Sequence, residues 1–140
     1  MYTSPLQTIV QDGEEILRKL DEEARNLEFA IEQRFVAGRK LAEAEQTYKE
    51  LESEFLLELL FDDNSPMKSA KNAEQRSIVQ DAELVKARTS GNLAPAWNQL
   101  SRAKTEQLNV QMAYEQMEVR YKAIAKSSDL RAAILLTFAK

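Results

Sequence analysis

Apolar residues recur every three or four positions along most of this chain, and no useful length of it shows strand-like alternation. The first series runs through Ile16, Leu20, Ala24, Leu27, Ile31, Phe35, Leu41, Ala44, Tyr48, Leu51 and Phe55. It predicts one helix over about 13–61. Asp12, Glu14 and Glu15 place acid at its N-terminus, where the helix dipole favours it. Asp62-Asp63-Asn64-Ser65-Pro66 follows its end. Such a helix is roughly 70 Å long at a rise of about 1.5 Å per residue. Gly38 is the one weak point inside it.

Ser65-Pro66 is a start signal for a second helix over about 66–89, with Ser as the cap and Pro at the first helical position. Its stripe is thin and rich in small residues: Met67, Ala70, Ala73, Ser77, Ile78, Ala82 and Val85. Gly91 is expected to close it as a left-handed cap. A third helix over about 95–126 carries Leu100, Ala103, Gln107, Val110, Tyr114, Met117, Tyr121 and Ile124. Those steps alternate three and four, which is a heptad. Gln107 is its one polar member, either a partly exposed seam position or a register-setting one. Ser127-Ser128-Asp129 then interrupts, and a short apolar helix over about 128–139 is expected.

Two clusters are apolar on more than one face, which a single helix–helix seam does not need. One contains Phe55, Leu56, Leu59, Leu60 and Phe61; the other contains Leu130, Ile134, Leu135 and Phe138. These nine positions are the candidates for an oligomer contact. The expected fold is a single all-α domain over residues 1–140. It would be a long antiparallel helical hairpin, a coiled-coil-like three-helix arrangement with a short C-terminal apolar helix, assembled as a homo-oligomer.

Composition narrows the chemistry. The 140 residues include no cysteine and no histidine. Disulfides, thiol chemistry, the commonest general base and the commonest transition-metal ligand are therefore excluded. Glu43, Glu50, Glu54 and Glu58 lack the histidine that a di-metal helical site pairs with glutamate. Asp62-Asp63-Asn64 lacks the glycine and the later glutamate of a calcium loop. There is no glycine-rich phosphate loop. A non-enzymatic protein without metal, cofactor or small-molecule substrate is expected. Met1–Gln11 has no basic, apolar leader, and Ala132–Ala139 is too short to span a bilayer. The expectation is a cytoplasmic protein without a membrane partner.

Charge adds a second pattern. Residues 1–63 carry 16 acidic and 7 basic side chains, a net of −9, and residues 64–140 carry 7 acidic and 12 basic, a net of +5. The basic half either pairs with the acidic half, within the chain or between chains, or serves a polyanion. In the second case Lys68, Lys71, Lys86, Arg88, Arg102 and Lys104 would neutralise phosphates and Trp97 would stack on a base. In the first case these cations pair with the first helix and Trp97 packs in the core. A pI near 5.0 weighs against a simple nucleic-acid binder.

The element order also resembles a known type. A long first helix ends in YKELESEFLLELLF, a second helix reads SPMKSAKNAEQRSIVQDAELVKARTS, and AWNQLSRAKTEQLNVQMAYEQMEVRYKAIAKSSDLRAAILLTF closes on an apolar tail. This layout resembles the phage UvsY-type recombination mediators over most of the chain. The resemblance implies an oligomeric single-strand DNA-binding protein that helps load a recombinase onto strands covered by single-strand binding protein. It implies assembly through the C-terminal segment, here Leu130 to Phe138. The chain departs from that type late in the first helix, where Glu50, Glu52, Glu54 and Glu58 stand in place of a basic stretch. A DNA-binding role would then rest on helices two and three. The competing reading is a protein-only helical adaptor, scaffold or inhibitor without nucleic-acid affinity. One variant is an acidic DNA mimic that uses Glu50, Glu52 and Glu54.

Overall fold

A computed structural model describes residues 5–139, apart from the side chains at 6, 9, 138 and 139. Among the described residues the chain is all-α and contains no strand. It forms α1 (Pro5–Phe61), a 3-10 helix (Pro66–Ser69), α2 (Ala73–Ser90) and α3 (Ala94–Ala139).

Three boundaries differ from the sequence expectation, each for a local reason. α1 begins at Pro5 rather than near residue 13. Proline suits a first helical position, and Gly13 lowers helix stability without preventing it. The second helix is split. Ser65 does cap a helix start, with the Met67 N–H donating to its Oγ at 3.2 Å. That helix is only the 3-10 turn, and α2 starts afresh at Asn72. The Gln75 N–H donates to Asn72 Oδ1 at 2.8 Å, and Gln75 Oε1 accepts from the Lys71 N–H at 2.8 Å. This reciprocal pair is a close relative of the capping box. Finally, Ser127-Ser128-Asp129 lies inside α3, so the tail is no separate helix. None of those residues lacks a backbone N–H, and each costs a helix interior only about half a kcal/mol.

The chain packs as two units. One consists of residues up to Val36 and from Leu108; the other is Ala37–Gln107. In the first, Arg131 Nη1 lies 3.3 Å from Asp12 Oδ2 and the Arg34 guanidinium stacks 4.5 Å from the centre of the Tyr114 ring. These two contacts order the α1 and α3 segments antiparallel. Their seam contains buried Ala30 with half-buried Ile16, Leu20, Leu27, Tyr114, Met117, Tyr121 and Ile124.

The second unit packs segments of α1, α2 and α3 around one core. Ala44 and Tyr48 come from α1, Leu84 and Ala87 from α2, Leu93 from the turn, and Ala96, Leu100 and Ala103 from α3. Leu41, Phe55, Leu56 and Trp97 pack against them. Half of those buried residues are alanine, so the helix backbones approach closely. Gly91 makes the turn into α3 possible, but not as a left-handed cap. Its φ of −102° and ψ of −158° are extended. Glycine is needed there because a Cβ would sit 2.8 Å from the Ala87 Cα.

The seams also correct two predicted stripes. Ala30 and Ala37 are buried on α1, while Ile31, Phe35 and Leu51 are exposed. On α2 the buried residues are Leu84 and Ala87, and Ile78 and Val85 face solvent. On α1 the larger Ile31 and Phe35 draw attention from Ala30 and Ala37, where the helices meet; on α2 the seam is displaced from Val85 to its neighbour Leu84 and to Ala87.

Candidate functional site

The densest polar cluster lies in the second unit and is centred on Arg88. Its guanidinium Cζ stands 4.4 Å from the centre of the Trp97 ring and 5.5 Å from that of Tyr48. The two rings meet at 5.1 Å, tilted by 55°. Arg88 Nε donates to the Tyr48 hydroxyl, and Nη2 donates to Glu52 Oε2 at 3.3 Å. The hydrogen bond to Tyr48 is the main influence raising the Arg88 pKa above its usual value. Burial, then the neighbouring Glu52 carboxylate, pushes the Tyr48 phenol above its ordinary range. The arrangement holds one cation between two rings and a carboxylate. It contains no nucleophile–base pair.

The other candidate cations differ from Arg88. Lys68 is exposed in the 3-10 helix, and Lys71 is exposed just before α2. Lys86 is exposed on α2 and lines a shallow concavity with Phe55, Glu83, Ser90 and Gly91. Arg102 lines a separate groove that also holds Lys40, Glu43, Thr47 and Glu106. In that groove Lys40 Nζ lies 3.5 Å from Glu106 Oε1. Lys86 and Arg102 thus occupy concavities with no residue in common. Lys104 is exposed on α3. Of the seven residues expected to face a nucleic acid, Arg88 and Trp97 are half-buried in the chain's own packing, and five remain at the surface.

The nine candidate contact residues also divide. Phe55 and Leu56 pack against the second unit's core, and Leu59 is buried. Leu60, Phe61, Leu130 and Ile134 are exposed. Leu135 is half-buried beside a concavity it shares with Val10, Ile16 and Leu17. Phe138 lies outside the described side chains.

The charge split has a structural counterpart. The first unit combines residues 1–36 and 108–140, with 11 acidic and 9 basic side chains; residues 37–107 carry 12 and 10. Each unit therefore joins acidic and basic stretches of the sequence and comes out at −2. Among the described residues no cluster of three metal-ligating side chains exists, and no helix is long and apolar enough to cross a membrane. Comparison with protein-family models, with curated proteins and with solved structures finds no match.

Sequence reasoning singled out Arg88 and Trp97 but missed Tyr48 and Glu52 as their partners. Arg88 reaches residues 40 and 36 positions away, a separation that no local spacing signals.

Proposed function

We propose that the protein is a non-enzymatic, self-associating helical accessory protein of DNA recombination or replication, acting on single-stranded DNA, a recombinase or both. One observation carries the self-association: large apolar side chains stand exposed on both long helices, among them Leu17, Phe35, Leu108 and Val119. Apolar exposure on this scale marks an interaction surface. The DNA part of the reading draws on the element-order resemblance and on exposed Lys68, Lys71, Lys86, Arg102 and Lys104. The expected assembly keeps the long helices paired antiparallel in a coiled-coil-like fashion.

A second reading, a protein-only adaptor or scaffold, is favoured by the balanced charge of each unit and by the internal engagement of Arg88 and Trp97. Anisotropy of a fluorescent single-stranded oligonucleotide, titrated with the protein at low and high salt, separates the two. The accessory role predicts binding that weakens with salt. It also predicts weaker binding and a shallower salt slope for Lys86→Glu combined with Arg102→Glu. No binding at low salt would move the assignment to the protein-only adaptor.

A further inference from the structure

α2 is packed along only part of its length. Val79, Gln80, Glu83, Leu84, Ala87 and Arg88 form one stripe of buried or half-buried residues. The next positions of that stripe toward the N-terminus are Arg76 and Ala73, and both are exposed. Every residue from 71 to 78 is exposed, Ile78 among them at 63%. The 3-10 helix before them buries no residue.

The register of α1 and α2 explains where burial stops. Arg88 reaches Tyr48 and Glu52 of α1, and Phe55 shares a concavity with Glu83, Lys86 and Ala87. Later residues of α1 thus lie opposite earlier residues of α2, as in an antiparallel pair. Counting on from the two Arg88 contacts, Phe61 at the end of α1 falls opposite residues 75–79. The first turns of α2 therefore run past the end of the helix they pack on.

Different forces hold the two halves. In the overhanging half the bonds are local. The Gln75 N–H donates to Asn72 Oδ1 at 2.8 Å, and the Arg76 N–H donates to the Asn72 carbonyl at 3.0 Å. A helix of so few turns is not stable in water by itself. In the other half Leu84 and Ala87 belong to the core, and Tyr48, Glu52 and Trp97 fix the Arg88 guanidinium.

We infer that α2 is a two-part conformational device: the 3-10 helix and the overhanging turns open and close by themselves, while the C-terminal half stays latched through Arg88. Opening turns residues 66–78 into a strap between α1 and the latched half and breaks nothing in the core. Lys68, Lys71 and Arg76 ride on this strap, exposed and without an ion pair among the described residues. The strap can reshape these three cations around a partner, whereas Lys86 and Arg102 stay fixed on packed helices.

The test is backbone hydrogen exchange of the full chain under native conditions, comparing amides 76–80 with amides 84–90. The first group should exchange at least about tenfold faster than the second. Arg88→Ala then separates local from joint opening. It weakens the latch, so amides 84–90 should exchange about five- to thirtyfold faster. Amides 76–80 should keep their native rate, because the latch is the same whether the strap is open or closed. Glu52→Gln loosens the same latch from α1 and should give the same pattern more mildly, should the Arg88 variant lose its fold. Equal protection along the whole of α2 overturns the inference. So does a variant that speeds both groups alike, because α2 would then open as one body.

Discussion

Arg88 shows how a residue that looks free in the sequence becomes structural once its neighbours arrive. Two rings, a hydroxyl and a carboxylate hold its guanidinium, so Arg88→Ala should lower stability by about 1–2 kcal/mol, read as an earlier urea midpoint. Tyr48 gives the same cluster a pH signature. Its folded pKa lies above the ordinary 10.0, so the folded state favours the neutral phenol. That contribution is present in full below about pH 10 and is lost as the pH rises through the higher folded value. Tyr48→Phe should flatten the fall of stability in that alkaline range, measured by urea unfolding at several pH values. Two glycines with opposite roles make a further pair. Nothing lies within 4 Å of a Cβ at Gly38, and the residue is inside α1. Gly38→Ala should stabilise by about 0.5–1 kcal/mol. Gly91→Ala should destabilise by about 1–3 kcal/mol, because its Cβ would meet the Ala87 backbone. The sequence already marks Gly38 as the weak point of α1 and Gly91 as a helix end; the close approach to Ala87 that demands glycine at Gly91 shows only in the structure.

At the scale of elements, the helical character was legible because period-three-and-four patterning survives any tertiary context. The α3 stripe from Leu100 to Ile124 is buried or half-buried at every position named from its heptad. Where the pattern misled, physics distinguishes the reasons. On α1 the seams run through Ala30 and Ala37, which carry little hydrophobic weight yet set the helix spacing, and on α2 the stripe is rotated onto Leu84 and Ala87. At Ser127-Ser128-Asp129, residues that favour caps are tolerated in a helix interior that packing holds together. The start of α2 was missed because Ser65-Pro66 offered a stronger signal seven residues earlier. Asn72 is the cap that counts for α2. Asn72→Ala should cost about 1 kcal/mol and fray the first turn, detectable as faster amide exchange at Gln75. The candidate site was less legible than the fold. Lys68, Lys71, Lys86, Arg102 and Lys104 are exposed as a basic surface requires, but which cations the chain would use internally depended on contacts far apart in sequence.

At the scale of the molecule, the opposite charges of the two sequence halves are not segregated in space. Antiparallel return brings the acidic first half against the basic second half, and each unit ends near neutrality at −2. Electrostatics therefore serve the chain's own pairing first, and any partner meets a mixed surface. Hydrophobic exposure remains on both long helices, with Phe29, Phe35, Leu108, Val119 and Leu130 among the exposed side chains. That exposure points to assembly. Its most direct measurement is the mass of the native full-length chain by light scattering over a dilution series. Assembly predicts a defined multiple of 16.0 kDa that persists on dilution into the micromolar range. A single 16.0 kDa species at every concentration would contradict it.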